Sequence, residues 1–308
     1  MFKDFKNKTA LITGAASGLG LEFSKKAASL GMHLLLIDVH EDRLKQASKE
    51  IESLYKQTGT QINCYAVDVS NSTEMESFSQ QMAKHHPAPN LVINNAGISG
   101  GGLIWEHSSQ DWDRVLGVNL MGVINGVRLF TPQMLKAAKQ DPSWRGHIVN
   151  TASMAGLLTP PNMGIYNVSK HGVLALTETL FQDLSLVTDQ ISASVLCPYF
   201  VPTSINQSFN DSTPSNTDTG QEHPITQSQL IGKQMLDKAV NSGKVSAAEV
   251  ASKVFDAVEN NQFYIFSHPH ALENVKQRML AILDNRQPPD PFAKRPDIGL
   301  ELKSALRA

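Results

Sequence analysis

The sequence predicts an α/β fold, a doubly wound parallel sheet of about seven strands with helices on both faces. Short apolar runs alternate along the chain with longer amphipathic stretches, which is the order of strand–helix–strand units. The short runs show little alternation of polar and apolar residues, as is typical of parallel strands buried on both faces. The 308 residues fit one domain, because α/β folds often use this length for a single unit.

Each element is predicted from this pattern in chain order. The predicted strands cover residues 9–13, 34–38, 62–68, 91–94, 147–151, 191–197 and 263–266. The predicted helices cover residues 19–30, 41–56, 72–85, 110–139, 166–187, 228–241, 247–259 and 272–285. Ser246 followed by Glu249 is the pattern of a capping box. Pro132 lies inside the longest helical stretch and is expected to kink that helix or to end it early.

Composition and charge argue against several kinds of partner. With 41% hydrophobic and 18% charged residues, the chain is ordinary for a globular domain. Its net charge of −2 gives no overall attraction to nucleic acid or to a membrane. Cys64 and Cys197 lie in apolar runs, and no Cys and His spacing resembles a zinc site, so we expect no disulfide and no metal. The charged start, MFKDFKNK, lacks the apolar run of a signal peptide, and we expect a cytoplasmic protein.

The first predicted strand leads into a glycine-rich turn, TGAASGLG at residues 13–20. Glycines there let bare backbone approach a pyrophosphate, and the helix that follows offers free N–H groups and its positive end to the phosphates. Asp38 closes the second predicted strand about twenty residues later, where a carboxylate can bind the hydroxyls of an adenosine ribose. The pattern predicts a dinucleotide site, with the alternative that Asp38 only caps the next helix.

Further polar residues follow the third and fourth predicted strands. Asp68 and Val69 end the third strand, and residues 94–97, Asn-Asn-Ala-Gly, end the fourth. The carboxyl ends of parallel strands line the ligand crevice of an open sheet, although Asn and Asp after a strand also form turns. Asn119 lies inside the longest predicted helix, where its amide could simply face solvent.

Three residues near the middle of the chain could move a proton. Tyr166 and Lys170 stand four apart at the start of a predicted helix and therefore face the same side of it, and Ser153 follows the preceding strand. An ammonium about 4 Å from a phenol, at an effective dielectric of roughly 20, favours the phenolate by on the order of three pKa units. Tyr166 would then titrate near the working pH, as a general acid and base must. Taken alone, Tyr166 and Lys170 could also be an ordinary surface pair.

These positions together resemble the short-chain dehydrogenase/reductase family, in its single-domain branch, over roughly residues 5–205. The resemblance implies a Rossmann-type fold that binds a nicotinamide dinucleotide. It also implies that Tyr166 is the acid and base, and that Lys170 lowers its pKa and holds the nicotinamide ribose. Ser153 would orient the substrate oxygen, and Asn119 would keep a water in a proton relay. The matching motifs are Thr13-Gly14-x-x-x-Gly18-x-Gly20, Asp68, Asn94-Asn95-Ala96-Gly97, Asn119, Ser153 and Tyr166-x-x-x-Lys170.

We expect the cofactor to be NAD(H) rather than NADP(H), because the charge of Asp38 would repel a 2′-phosphate. Relatives that use NADP usually carry a basic residue where this chain has Ala16, Ser17 and Val39. The nearest basic groups are His40, mostly neutral at pH 7, and Arg43, roughly a turn into the next helix. The residues expected to hold the cofactor are Gly14, Ser17, Gly18, Leu19, Gly20, Asp38, Asp68, Val69, Asn95, Ala96, Gly97, Tyr166, Lys170, Pro198, Val201 and Thr203.

One departure from the family pattern concerns Tyr199. The family commonly has Pro-Gly after the sixth strand, and this chain has Pro198-Tyr199. The bulk of Tyr199 challenges the usual close backbone approach to the nicotinamide and would place an aromatic wall in the pocket. The residues expected to line that pocket are mostly apolar, so we expect a hydrophobic small-molecule substrate, although several could equally be packing residues. They are Ile98, Leu157, Leu158, Met163, Tyr199 and Phe200.

Residues 1–285 are expected to form one dinucleotide-binding and catalytic domain. The polar stretch at about 204–229 is predicted to be a long loop, and its place beside the active site in the family favours a lid over plain disorder. Residues 286–308, rich in proline, are predicted to be a surface arm. The family's habit of pairing the helices that contain Asn119 and Tyr166 implies a homodimer or a homotetramer.

Two other functions fit the sequence less well than an oxidoreductase does. Nucleotide-sugar epimerases and dehydratases usually space their glycines as G-x-x-G-x-x-G and carry a larger C-terminal domain, and this chain has neither feature. A non-catalytic dinucleotide-binding regulator would be expected to have a broken catalytic set, whereas all four catalytic positions are intact. The sequence therefore favours hydride transfer between NAD(H) and a hydrophobic secondary alcohol or ketone.

Overall fold

The computed structural model describes residues 2–206 and 225–307. The strands are β1 Thr9–Thr13, β2 His33–Asp38, β3 Ile62–Ala66, β4 Leu91–Asn94, β5 Gly146–Thr151, β6 Ile191–Cys197 and β7 Tyr264–Phe266. The helices are α1 Gly18–Ser29, α2 Glu41–Tyr55, α3 Ser72–His85, α4 Ser109–Leu116, α5 Gly122–Gln140, α6 Gly164–Val187, α7 Gln227–Asn241, α8 Ala247–Glu259, α9 Leu272–Leu283 and α10 Pro296–Arg307. The predicted doubly wound parallel sheet is confirmed.

The described strands pair in parallel in the order β3-β2-β1-β4-β5-β6-β7. β1 lies between β2 and β4, with Leu11 opposite Leu35 on one side and Val92 on the other. Along the chain, β2 and β3 are therefore added on one side of β1, and β4 to β7 are then added on its other side. In such sheets the ligand crevice lies beyond the carboxyl ends of the two strands where the direction reverses. The glycine turn after β1 and residues 95–97 after β4 meet at that crevice.

Helices cover both faces of the sheet, and the strands are apolar on both faces for that reason. In β2, Leu34 packs in one core cluster with Phe23 of α1, and its neighbour Leu35 packs in a second cluster with Phe130 of α5. All four side chains are fully or almost fully buried. Burial of each such side chain contributes about 1.5–3 kcal/mol, so the sheet that carries the site is a stable platform.

Pro132 does not end the helix in which it lies. α5 continues past Pro132 to Gln140, so the prediction of an early end is wrong. A proline inside a helix costs roughly 3 kcal/mol, and the burial of Phe130 and Met134 on either side of it offsets that cost. Tertiary packing therefore overrides the local preference.

An irregular turn instead interrupts this helical stretch at Gly117–Met121, between α4 and α5. The turn has π-helical geometry and contains Asn119, and such turns occur frequently at functional sites. Among the described residues, the stretch Ser109–Gln140 is the one helix that is long and apolar enough to cross a membrane by length and composition alone. In this fold its apolar side chains, such as Phe130, pack against the sheet.

The C-terminal part of the chain contains a helix that the sequence analysis did not predict. α10 lies within the proposed arm, packs against α7, and buries Leu302. Pro296 is its first residue, a position where the missing N–H of proline costs nothing. α7 begins at Gln227, inside the stretch predicted as a loop, and residues 207–224 of that stretch lie outside the described residues.

The side chain of His147, on β5, is buried. Its Nε2 is 2.7 Å from Ser194 Oγ, whose hydroxyl donates to the carbonyl of Gln262 at 2.7 Å. Burial lowers the pKa of His147 to about 3, because a charged imidazole would lose its hydration there. The imidazole is therefore neutral in the folded protein.

This burial predicts a loss of stability in mild acid. Because the folded-state pKa lies below the unfolded value of about 6.5, the unfolded chain binds the proton first, and stability falls as pH falls from about 6.5 to about 3. Between about pH 7.5 and pH 5, His147 should account for roughly 2 kcal/mol of the decrease in the free energy of unfolding. Urea unfolding at both pH values measures it.

The matched variants are His147→Leu and His85→Leu, since His85 is exposed at the end of α3. The difference in the free energy of unfolding between the two pH values should shrink by roughly 2 kcal/mol in His147→Leu and stay unchanged in His85→Leu. An unchanged difference in His147→Leu would show that His147 is not the titrating group.

Candidate active site

The turn after β1 has a shape that only glycine allows. Gly14 and Gly18 adopt left-handed backbone angles, with φ of 65° and 54°. A Cβ on Gly20 would lie 2.0 Å from the Gly14 carbonyl oxygen, and one on Gly14 would lie 2.9 Å from Ala96 Cα. In the described part of the chain, the Ser17 side chain makes no capping bond to the first turn of α1. Bare backbone and uncapped N–H groups therefore face the crevice, beside Leu19 in the same turn.

Thr13 joins the carboxyl ends of β1 and β4. Its Oγ1 accepts hydrogen bonds from the N–H groups of Asn95, at 2.9 Å, and Ala96, at 3.0 Å. The side-chain amide of Asn95 returns a bond to the Thr13 carbonyl at 3.1 Å. Thr13 was predicted as part of the glycine motif but not as a site residue. Its position directly before the first glycine of the turn is the signal that could have identified it.

Asp38 holds the glycine turn against the end of β2. One carboxylate oxygen accepts from the N–H of Ala16 at 3.0 Å, and the other accepts from the N–H of His40 at 3.0 Å. His40, not Asp38, occupies the N-cap position of α2, so the alternative that Asp38 only caps that helix is wrong. Each carboxylate oxygen can accept a further bond, which leaves capacity for a ligand hydroxyl.

Asp68 and Val69 follow β3 by two and three residues and shape the loop before α3. Asp68 Oδ1 accepts from both the N–H and the hydroxyl of Ser70, at 2.9 and 2.7 Å. The carbonyl of Val69 accepts from the amide of Asn125 at 2.9 Å. Both residues therefore lie at the carboxyl edge of the sheet, and in the described contacts Asp68 organises a turn.

Asn119 is completely buried, so the alternative that its amide faces solvent is wrong. Its Oδ1 accepts from the N–H of Ile98 at 2.8 Å, and its Nδ2 donates to the Ile98 carbonyl at 3.0 Å and to Ser169 Oγ at 3.1 Å. A Cβ on Gly97 would lie 3.3 Å from Asn119 Oδ1 and 3.4 Å from Lys170 Nζ. Gly97 therefore fits where it does because it has no side chain.

The structure brings Ser153, Tyr166 and Lys170 together. Lys170 is buried and donates from Nζ to the carbonyl of Thr151 at 3.0 Å, and Nζ lies 5.7 Å from the centre of the Tyr166 ring. Ser153 Oγ accepts from the N–H of Ala155 at 3.1 Å and donates to the carbonyl of Pro198 at 3.4 Å, and its hydroxyl lies near enough to Tyr166 to act on the pKa of the phenol. Tyr166 lies in the first turn of α6, whose positive end favours a phenolate.

The protein alone does not lower the pKa of Tyr166. Burial raises it to about 12, and the Ser153 hydroxyl only partly opposes that shift. Burial also lowers the pKa of Lys170 to about 8. The expectation that Lys170 brings Tyr166 near the working pH is therefore wrong for these residues by themselves. The reason is that loss of hydration outweighs the attraction of an ammonium that is directed at Thr151.

The segment after β6 covers the glycine turn. The Pro198 carbonyl accepts from the N–H of Met154 at 2.9 Å, which fixes this segment beside Ser153. Val201 is buried in the core cluster under α1 and α8. A Cβ on Gly18 would lie 3.3 Å from Thr203 Cβ. The predicted cofactor residues of the glycine turn and of the segment after β6 therefore lie next to one another.

The six residues predicted for the substrate pocket have different surroundings. Leu157 is buried in a third core cluster, and Leu158 packs against that cluster, so packing is the role the geometry favours for both. Tyr199 is 39% exposed, and its ring centre lies 4.5 Å from that of Phe200 and 5.8 Å from that of His268. Ile98 and Met163 are partly buried beside Asn119 and Tyr166 respectively.

Comparison with known proteins places the chain among dehydrogenases. Residues 8–214 match the family described as short chain dehydrogenase. The chain is 31% identical over 286 residues to the CLA biosynthesis dehydrogenase/reductase of Lactiplantibacillus plantarum, covering 93% of this chain and 96% of that protein.

Solved structures agree with this result. A short chain dehydrogenase/reductase from Burkholderia phymatum in complex with NAD is 42% identical, with a TM-score of 0.86, and the match covers 94% of this chain and 99% of that one. A metagenomic short-chain oxidoreductase in complex with NADP is 28% identical, with a TM-score of 0.57, over 63% of this chain and 83% of that one.

The link made by Thr13 gives a prediction for stability. Thr13→Val keeps the shape of the side chain but leaves two backbone N–H groups without their acceptor, which should lower the free energy of unfolding by about 1–3 kcal/mol. Thr9→Val makes the same change at the opposite end of β1 and should have a smaller effect. Urea unfolding measures both, and equal losses would show that the two bonds to Thr13 Oγ1 contribute nothing specific.

Proposed function

Because this chain belongs to the short chain dehydrogenase family, whose members are oxidoreductases, we propose that it transfers hydride between NAD(H) and a hydrophobic secondary alcohol or ketone. The observation that carries the proposal is the burial of Tyr166 and Lys170, with the partly buried Ser153 following β5, beside the crevice at the ends of β1 and β4. Burying an ammonium beside a phenol costs free energy. Such costly arrangements with shifted pKa values occur most often at functional sites.

The residues around the crevice fit a nicotinamide dinucleotide. The left-handed glycines and the uncapped start of α1 suit a pyrophosphate, which needs bare backbone and free N–H groups. Asp38 suits the adenosine ribose, and the bare backbone of Gly97, next to Lys170, suits the nicotinamide ribose. When bound, the nicotinamide accepts or supplies the hydride.

The residues of the chain handle the proton. In alcohol oxidation the Tyr166 oxygen takes the proton of the substrate hydroxyl, while the Ser153 hydroxyl orients the same oxygen. In ketone reduction the phenol returns the proton, and its raised pKa keeps it protonated for that step. Lys170, still largely charged at neutral pH with a pKa of about 8, and the positive end of α6 stabilise the phenolate when it forms. The hydrogen bonds of Asn119 to Ile98 keep the loop after β4 beside Lys170.

The substrate side of the site is apolar, which supports a hydrophobic substrate. Ile98 and Met163 border Asn119 and Tyr166, and the paired rings of Tyr199 and Phe200 follow Pro198. These side chains offer apolar surface and few hydrogen bonds, so they bind by area removed from water.

A homodimer or homotetramer is part of the same proposal. Met121 and Val168 are 40% and 45% exposed on the stretches that contain Asn119 and Tyr166. Pairing of α5 and α6 with a second copy would cover these side chains. Size-exclusion chromatography with light scattering distinguishes these assemblies from a monomer.

The first test removes the proton carrier. Tyr166→Phe should lower kcat by about 10²- to 10⁴-fold with little change in the Kd of NAD⁺, because the nucleotide site is intact. Turnover is followed by NADH absorbance over a panel of secondary alcohols and ketones, and Kd by calorimetry. Tyr65→Phe, which removes a hydroxyl that contacts only His86 among the described residues, is the control. A Tyr166→Phe enzyme that retains more than about a hundredth of the kcat would contradict the proposed role.

The second test concerns NAD against NADP. Asp38 is a buried carboxyl side chain at the place proposed for the adenosine ribose, and His40 and Arg43 are exposed, so kcat/KM should favour NAD by at least about tenfold, or about 1.4 kcal/mol. Asp38→Asn with Val39→Arg keeps the size of the side chain at 38 while it reverses the local charge, and should narrow or reverse the preference. Comparable kcat/KM values for both cofactors in the unmodified protein would refute the assignment of Asp38.

A further inference from the structure

Three segments meet at a partly buried polar contact: the loop after β4, the segment before α6 and the first turn of α7. We call it the Ser228 junction, and it consists of Leu103, Glu106, Asn162 and Ser228. Ser228, 2% exposed in the first turn of α7, accepts at Oγ from the N–H of Leu103 at 2.9 Å and donates to Glu106 Oε2 at 2.7 Å. The amide of Asn162 donates to the Ser228 carbonyl at 3.0 Å.

The backbones at the junction are also in direct contact. A Cβ on Gly101 would lie 3.3 Å from Gly232 Cα, so no side chain separates the loop after β4 from α7. The N–H of Gly102 donates to the Asn162 carbonyl at 2.9 Å, and Gly102 pairs with Met163 in a β-bridge. The loop, the segment before α6 and the start of α7 therefore form one packed unit.

The position of this unit connects it with the proposed chemistry. The loop begins directly after Gly97, which lies against Lys170, and Asn162 comes four residues before Tyr166. Ile104 and Leu230 lie next to the junction in sequence and remain 47% and 41% exposed. Exposed apolar side chains of the loop and of α7 therefore flank the junction, and none of the described contacts of the junction reaches Asp38 or the glycine turn.

Glu106 is the member of the junction that carries a charge. Its carboxylate lies at the first turn of α7, where a negative charge is favoured by the positive end of the helix. The hydrogen bonds from Ser228 and Thr226 lower the pKa of Glu106, so it is ionised at neutral pH. A charge-assisted bond of this kind is stronger than a neutral one.

We propose that Glu106 is a positioning residue for the substrate: through Ser228 it holds the first turn of α7 against the loop after β4 and so fixes where Ile104 and Leu230 stand relative to Tyr166. This inference rests on the proposed function. α7 is also held by the burial of Ile231 and Val240 and by α10, so loss of the Glu106 contact should loosen the first turn of α7 without unfolding it.

The kinetic test uses three variants. Glu106→Ala removes both the acceptor and the charge, Glu106→Gln keeps an acceptor, and Asp113→Ala removes a nearby exposed carboxylate of α4 that is outside the junction. The probes are NAD⁺ and the panel alcohol that the unmodified enzyme oxidises best.

In Glu106→Ala, the KM for the alcohol should rise about fivefold, with kcat and the Kd of NAD⁺ within about twofold. Glu106→Gln should recover most of the loss, and Asp113→Ala should match the unmodified enzyme. An equal KM in Glu106→Ala and Asp113→Ala, or an equal loss of NAD⁺ affinity, would overturn the proposal.

A second measurement separates this inference from the proposed function. Hydrogen exchange of the amides at the start of α7, measured without substrate, should be about tenfold faster in Glu106→Ala and in Ser228→Ala, with β1 unchanged. If no alcohol or ketone is turned over, the proposed function fails, and exchange still decides whether Glu106 holds α7. Unchanged exchange in both variants would refute the junction.

Discussion

The close approach of backbone to backbone at the carboxyl ends of β1 and β4 is the constraint on which the rest of this structure depends. A side chain at Gly20 or Gly14 would overlap main-chain atoms of the turn or of Ala96, so the turn can pack this closely against the end of β4 only because these positions are bare. Thr13 holds the two strand ends together through hydrogen bonds to backbone N–H groups. Because β2 and β4 lie on opposite sides of β1, Asp38 at the end of β2 and Gly97 after β4 border the same crevice.

Many buried polar groups of the site pair with one another, although Asn94 Oδ1 is buried without a hydrogen-bond partner among the described residues. Asn94 donates to Asn150, which donates to Thr177, so a buried chain of amides and hydroxyls crosses from β4 to α6. Lys170 is held by the carbonyl of Thr151. An unpartnered buried polar group costs about 1–3 kcal/mol, and these contacts remove most of that cost. The same burial raises the pKa of Tyr166. The burial that stabilises the site therefore also makes it harder for Tyr166 to lose its proton.

Much of the architecture could be predicted from the sequence. The strand predicted at 147–151 differs by one residue from β5, and the capping box of Ser246 and Glu249 is present. Regular periodicity and local capping carry this information within a few neighbouring residues. The alternative that Pro132 ends its helix early is wrong, and the irregular turn around Asn119 and α10 were not predicted, because each depends on packing against residues distant in the chain.

The sequence by itself determined the order of strands and helices, the glycine turn, and the identity of the residues that can carry a proton or a nucleotide. These are properties of residue type and spacing. The tertiary structure alone decided that Asn119 is buried against Ile98, that Leu157 packs in the core, and that Tyr166 has a raised pKa. It also decided that Ser228 joins α7 to the loop after β4. Burial, solvation and contacts between distant segments cause these outcomes, and they come into being only when the chain has folded.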